Sequence, residues 1–194
     1  MLNLKIRGMN APKRAIGEGA MGFWAAMDEV YPTTLHQRCG QNKTMNVFNC
    51  LPKLSQPKAK AAIHNIWQAE TKLDAERRFD LFVETYEPQY PKAVLCQQRN
   101  WIELKAFFDF PARNWQSIRT SNPIEPAFAT IRHRTKRSKG CLSRDGMCHM
   151  MSKLGQCAER NWRKLRVFDY LAKVITGVTF KDGIETTDPD QIAA

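Results

Sequence analysis

Between residues 57 and 110 apolar side chains recur at helical spacing, which predicts a succession of amphipathic helices. Ala59, Ala62, Ile63, Ile66 and Trp67 share one face, behind a Pro57 suited to the first turn of a helix. Leu73, Phe79, Phe82, Val83 and Tyr86 share another, introduced by Thr71 and Asp74 at the spacing of a capping box. PQYPK at 88–92 interrupts the pattern, and Val94, Trp101, Leu104 and Phe108 then mark one further helix. DFPARN at 109–114 ends it. Ser143 is placed to cap a helix bearing Met147, Met150, Met151, Leu154 and Ala158, extended to Trp162 and Leu165. Met and Trp stripes at this spacing read as core faces rather than cofactor boxes.

The first 50 residues have a different rhythm. Residues 5–8 look like a helix end with Gly8 just past it. Strands are expected over 12–16 and 34–39, with a helix over 21–30 between them. Two short strands are too few for an independent sheet. The pattern therefore predicts an α+β chain, mostly α, with a fragmentary α/β start. The last residues, 181–194, are polar and expected to fray. No internal repeat is present.

Composition refines this in one respect. The 194 residues are 43% hydrophobic and 10% aromatic, values of a globular chain rather than a disordered one. The formal net charge is +11. It is concentrated, because residues 112–166 hold 13 Lys/Arg against 3 Asp/Glu. A local excess of that kind suits a polyanion-binding surface. The six cysteines form no C-x-x-C pair and no regular framework, so free thiols in a reducing cytoplasm are expected. The opening MLNLKIRGMN lacks the apolar region of a signal peptide, and no apolar run approaches the ~20 residues of a membrane span.

Three short motifs carry candidate chemistry. GEGAMG at 17–22 matches a dinucleotide fingerprint between a strand and a helix. A carboxylate in that turn would repel pyrophosphate, and no acid follows about 20 residues on, so a tight strand-to-helix turn is the better account. Glu18 there is either a solvated turn residue or an exposed ligand for Mg²⁺. In NPIE at 122–125, Asn122 and Glu125 form a reciprocal cap with Pro123 at the first helical position, which explains the carboxylate structurally. Behind it, Arg132, His133, Arg134, Lys136, Arg137 and Lys139 cover nearly every side of the helix, too many to pack on a core. With Arg144, and with Trp115 and Trp162 close in sequence, they favour contact with a phosphate backbone, for which ~6 neutralised phosphates imply a salt slope near −5.

GEGAMGFWAAMDEVYP, LHQRCGQNKTMNV and RTSNPIEPAFATIRHRTKRSKGCLSRDGM together resemble the bacterial mutator-type transposases, DDE recombinases of insertion sequences. The resemblance runs from about residue 4 to 187. It implies an RNase H-like core, incomplete here because its N-terminal strands lie upstream, with a long α-helical insertion and C-terminal helices. The implied divisions are 1–50 (partial α/β segment), 51–120 (insertion), 121–180 (C-terminal helical part with the basic stretch) and 181–194 (flexible tail). It also implies metal-dependent DNA strand cleavage and transfer with Mg²⁺ or Mn²⁺ held by three acids. Glu125 matches the third. Glu18 stands where the family carries Asp, and the first acid has no match in the sequence. In the block C-G-Q-N-K at 39–43, Gly40 and Asn42 replace the family's Trp and His. Pro126 also removes an N–H from the first turn after Glu125. The implied partners are insertion-element ends and target DNA, with a second copy or a full-length transposase, in the cytoplasm at the nucleoid. These departures predict an impaired, truncated copy. A non-enzymatic nucleic-acid-binding helical module remains open beside it, as does a fragment with no role.

Overall fold

The computed structural model describes residues 1–121, 125–138, 143–162 and 168–186. Helix α1 (Leu2–Ile6) ends as the sequence predicts: Gly8 takes φ +90, its N–H donates to Lys5 O, and that of Met9 donates to Leu4 O. Those two bonds satisfy carbonyls that the helix itself leaves open. Strand β1 (Arg14–Gly17) pairs in parallel with β2 (Leu35–Arg38), in the register Arg14↔Leu35 to Gly17↔Arg38. Helix α2 (Met21–Val30) supplies the crossover that a parallel pair requires. It buries Met27 and Val30, which form a small cluster with Tyr31.

A larger core is built by α3 (Gly40–Phe48), α4 (Gln56–Trp67), α5 (Lys72–Tyr86) and α6 (Pro91–Gln98). Ile63, Ile66, Phe82, Val94, Phe107 and Phe108 lie fully inside it. Each such side chain contributes about 1.5–3 kcal/mol on burial. The Thr71 hydroxyl caps α5 by accepting from the Asp74 N–H at 3.1 Å. Leu73 is exposed, contrary to the sequence expectation. It lies about 200° around α5 from Ala75, on the far side from the Ala75, Phe79, Phe82 and Tyr86 stripe.

The single helix expected through Val94, Trp101, Leu104 and Phe108 is broken. After α6, Asn100 takes a left-handed conformation at φ 68, α7 (Trp101–Lys105) follows, and Ala106–Asp109 tightens into a 3-10 turn. Asn is among the few residues that tolerate this conformation. A further 3-10 turn, Ala112–Asn114, leads into α8 (Trp115–Ile118). Trp115 packs edge-on against Phe107 and Phe108, and its indole N–H donates to Phe110 O at 2.7 Å. It is partly buried against the core.

The remaining elements are α9 (Glu125–Ser138), α10 (Arg144–Glu159), α11 (Phe168–Ile175) and an antiparallel pair, β3 (Phe180–Lys181) with β4 (Ile184–Glu185). The hairpin occupies residues that sequence alone assigns to a fraying end. Gly183 at φ +79 holds it against the core, where a Cβ would sit 2.6 Å from Ala112 Cβ and 2.8 Å from the Trp115 ring. Ser143 caps α10, accepting from the Gly146 N–H at 3.0 Å. The stripe expected to be core is not one: α10 buries no residue, and Met147, Met151 and Trp162 are exposed. The helix packs beside α9 instead, and ends at Glu159. Leu165, the Asn122 cap, Lys139, Cys141 and residues 187–194 lie outside the described residues. No helix among the described residues is long and apolar enough to cross a membrane.

Candidate functional site

Parallel pairing sets both strand ends at one edge. Gly17 lies opposite Arg38, and the Cys39 N–H donates to Gly17 O at 2.8 Å. Glu18 and Cys39 thus leave the sheet side by side, and α2 and α3 both start there. The carboxyl ends of parallel strands are where open α/β folds gather functional groups.

Two glycines shape the turn around Glu18. A Cβ on Gly17 would lie 2.7 Å from the Trp24 ring. One on Gly19, at φ +88, would lie 2.3 Å from the Arg38 guanidinium, so the turn rests directly on that side chain. Arg38 is only 7% exposed. Its Nη2 donates to Asn42 Oδ1 at 2.9 Å, while Nε and Nη1 have no partner among the described residues. Burial lowers its pKa, against the opposing pull of the Cys39 and Glu18 charges. Asn42 therefore holds Arg38 in place.

Cys39 caps α3 through its sulfur, which accepts from the Asn42 N–H at 3.5 Å. It also accepts from the Ser121 N–H and hydroxyl, both at 3.3 Å, and lies 3.6 Å from Thr120 Oγ1. Burial alone would push this thiol up, but the hydrogen bonds from Ser121, Asn42 and Thr120 bring it below its ordinary value. A thiol at a helix N-terminus is subject to the same bias. Lys43, 3% exposed, donates to Arg99 O and secures the α6–α7 turn, with a pKa lowered by burial.

Ser121 ties these groups to the C-terminal part of the chain. Its hydroxyl oxygen lies 3.0 Å from Glu18 Oε1 and 3.3 Å from Cys39 Sγ, and its single proton serves one acceptor at a time. The Gly40 N–H donates to Arg119 O at 2.9 Å, fastening the same segment to the head of α3. Glu125 follows Ser121 by four positions, a span of at most ~14 Å. Glu125 opens α9 as backbone; its side chain lies outside the described residues. Among the described residues no group of three His, Cys, Asp or Glu side chains could hold a metal.

Along α9, Arg132, His133, Arg134, Lys136 and Arg137 are all exposed, as is Arg144 at the start of α10. Among the described residues none pairs with an acid. At 100° per residue the five on α9 sweep about 200°, opposite the partly buried Ile131 and Thr135. The basic groups therefore form one broad face rather than covering every side of the helix. Sequence reasoning missed Ser121 and Arg38. Both sit inside conspicuous segments, RTSNPIE and LHQRC, but nothing in either segment shows that a hydroxyl would meet a carboxylate 103 positions away.

Comparison with known proteins agrees with the sequence blocks. The family described as "Transposase, Mutator family" matches residues 1–164. The transposase for insertion sequence element IST2 of Acidithiobacillus ferrooxidans is 47% identical over 99% of this chain, which spans 67% of that protein. The transposase for insertion sequence element IS6120 of Mycolicibacterium smegmatis is 42% identical over 92% of this chain and 55% of its own length. The transposase for element ISRM3 of Rhizobium meliloti is 29% identical over 72% of this chain and 35% of its own. With the match running through the Glu18 turn, the Cys39 cap and the basic helix alike, the chain belongs to the mutator family of transposases.

Proposed function

We propose that the chain acts in transposition of an insertion element, as the C-terminal portion of a catalytic domain that cleaves and joins DNA strands. In this reading residues 1–50 are part of an RNase H-like core, 51–120 a helical insertion, and 121–180 the part that meets DNA. Glu18 and Glu125 are its metal-ligating carboxylates. The observation that carries the proposal is the 3.0 Å approach of Ser121, four positions before Glu125, to Glu18.

The donor chemistry fits a hard divalent cation. Glu18 is exposed, only its Oε1 is engaged by Ser121, and Mg²⁺ is commonly held by one or two carboxylates together with substrate phosphates. Bound there, Mg²⁺ or Mn²⁺ would supply Lewis-acid activation of the phosphodiester. The chain's own residues orient the substrate. The basic face of α9, with Arg144, holds the phosphate backbone, while Arg38 supports the Glu18–Gly19 turn from beneath. These 194 residues contain no counterpart of the family's first acid, so the segment alone is proposed to bind DNA with cleavage impaired.

The test is nicking of element-end DNA in the presence of Mg²⁺ or Mn²⁺. Glu125→Gln and Glu18→Gln are each expected to abolish the residual cation-dependent nicking while leaving DNA affinity within about twofold. Nicking that survives Glu125→Gln removes that residue from the chemistry. The exposed basic face also suits a non-enzymatic DNA-binding module, and DNA affinity indifferent to Mg²⁺ would favour that reading.

A further inference from the structure

Cys50 and Cys96 belong to different helical segments, 46 positions apart, and the fold brings their thiols into direct interaction. Beyond Phe48, α3 continues through one tight turn. There the Cys50 N–H donates to Val47 O at 2.9 Å, and the Cys50 thiol to Asn46 O at 3.6 Å. Lys43 and Cys50 are seven residues apart, two turns along the same side of the helix. From that side Lys43 Nζ donates to Arg99 O, at the residue that ends α6, over 2.5 Å. Cys96 lies one turn before Arg99. The side of α3 that carries Lys43 and Cys50 therefore faces the end of α6 that carries Cys96.

The two thiols are both free and differ in access: Cys50 is exposed and Cys96 half-buried. An oxidant in solution meets Cys50 first. Burial pushes the Cys96 thiol up, the Lys43 ammonium pulls it down, and the neighbouring Cys50 raises it again. Once Cys50 is oxidised, its charge no longer opposes ionisation of Cys96, while the Lys43 and Arg99 cations still favour the thiolate. The thiolate is the form that attacks sulfur. The other described cysteines are placed differently. Cys39 is 1% exposed. Cys148 and Cys157 lie nine residues apart on opposite sides of α10, ~14 Å along its axis, too far to bridge.

We propose that Cys50 and Cys96 form a reversible redox site, closed by hydrogen peroxide and opened by a thiol reductant. Cys50 Sγ attacks the peroxide, the O–O bond breaks, and Cys50 becomes a sulfenic acid with release of one water. Cys96 Sγ then attacks Cys50 Sγ. The S–S bond forms, the S–O bond breaks, and the hydroxyl leaves with a proton as a second water. The thiols are oxidised by two electrons and the peroxide is reduced by two. The link ties the tail of α3 to the end of α6 and restrains the unfolded chain, which stabilises the helix whose head carries the Cys39 cap.

The test treats the full chain with hydrogen peroxide, blocks the remaining thiols with iodoacetamide and maps unreduced peptides by mass spectrometry. The expected product joins a peptide containing Cys50 to one containing Cys96 and is released by dithiothreitol. The oxidised chain should also show a higher urea midpoint than the reduced one. Cys96→Ser should strand Cys50 as a sulfenic acid, raising its labelling by dimedone about tenfold over the native chain. Cys50→Ser, at an exposed position, should abolish both the linked peptide and the midpoint shift. Alkylation of Cys50 and Cys96 alike after peroxide, linkage chiefly through Cys148 or Cys157, or equal dimedone labelling of the native chain and Cys96→Ser overturns the site.

Discussion

Cys39 and Ser121 show how a few atoms define the candidate site. The folded-state pKa of Cys39 lies below the ordinary 9.0, so the folded chain releases that proton before the unfolded chain does. The stabilisation from the thiolate is complete above 9.0 and is lost as pH falls through the folded value. The difference in urea midpoint between the native chain and Cys39→Ala should accordingly be larger at pH 9 than at pH 7; an identical difference at both would dissociate the hydrogen-bonded sulfur from stability. Gly19 sets a second constraint. A side chain at φ +88 costs about 1–2 kcal/mol from backbone strain, before the contact with Arg38 is counted. Gly19→Ala is expected to lower stability by at least that amount, read from chemical denaturation, and an unchanged midpoint would mean that the turn moves freely off the guanidinium.

At the scale of elements, charge geometry separates α9 from its neighbours. Its five exposed basic residues share one face, so each of Arg132→Ala, Arg134→Ala and Lys136→Ala should weaken binding on all sequences alike and reduce the salt slope by about 1. A slope that does not change across the three would place the DNA elsewhere. What sequence showed of these elements follows from which interactions are local. The Gly8 helix end, the Thr71 and Ser143 caps and the existence of the two short strands were legible, because each depends on residues close together; that the strands pair in parallel was not. The break at Asn100 was not, since it depends on a left-handed residue within an otherwise continuous apolar pattern. The hairpin at β3–β4 was equally hidden, because its stability comes from Gly183 pressing on Ala112 and Trp115, some 70 positions away. For the candidate site, Glu18 and the basic run were legible as residue types. That Ser121 would meet Glu18 was set by tertiary packing.

Across the whole molecule, burial is uneven, and that unevenness predicts how the chain responds to DNA. Ile63, Ile66, Phe82, Phe107 and Phe108 fill one core, whereas α10 buries nothing and exposes Met147 and Met151. Removing a core ring, as in Phe108→Ala, is expected to cost about 3–5 kcal/mol and to depress the melting transition of the entire α3–α8 unit. Local stability scales with buried apolar contact, so amide hydrogens of α4 and α5 should exchange near the rate of global unfolding and those of α10 far sooner. If the basic face of α9 is where phosphates sit, binding a DNA duplex should slow exchange along α9 and its neighbour α10, while α4 and α5 hardly change. Hydrogen exchange read by mass spectrometry with and without the duplex makes the comparison directly. Protection appearing on α4 and α5 but not on α9 would move the DNA surface to the helical core and leave the cationic helix as solvated charge.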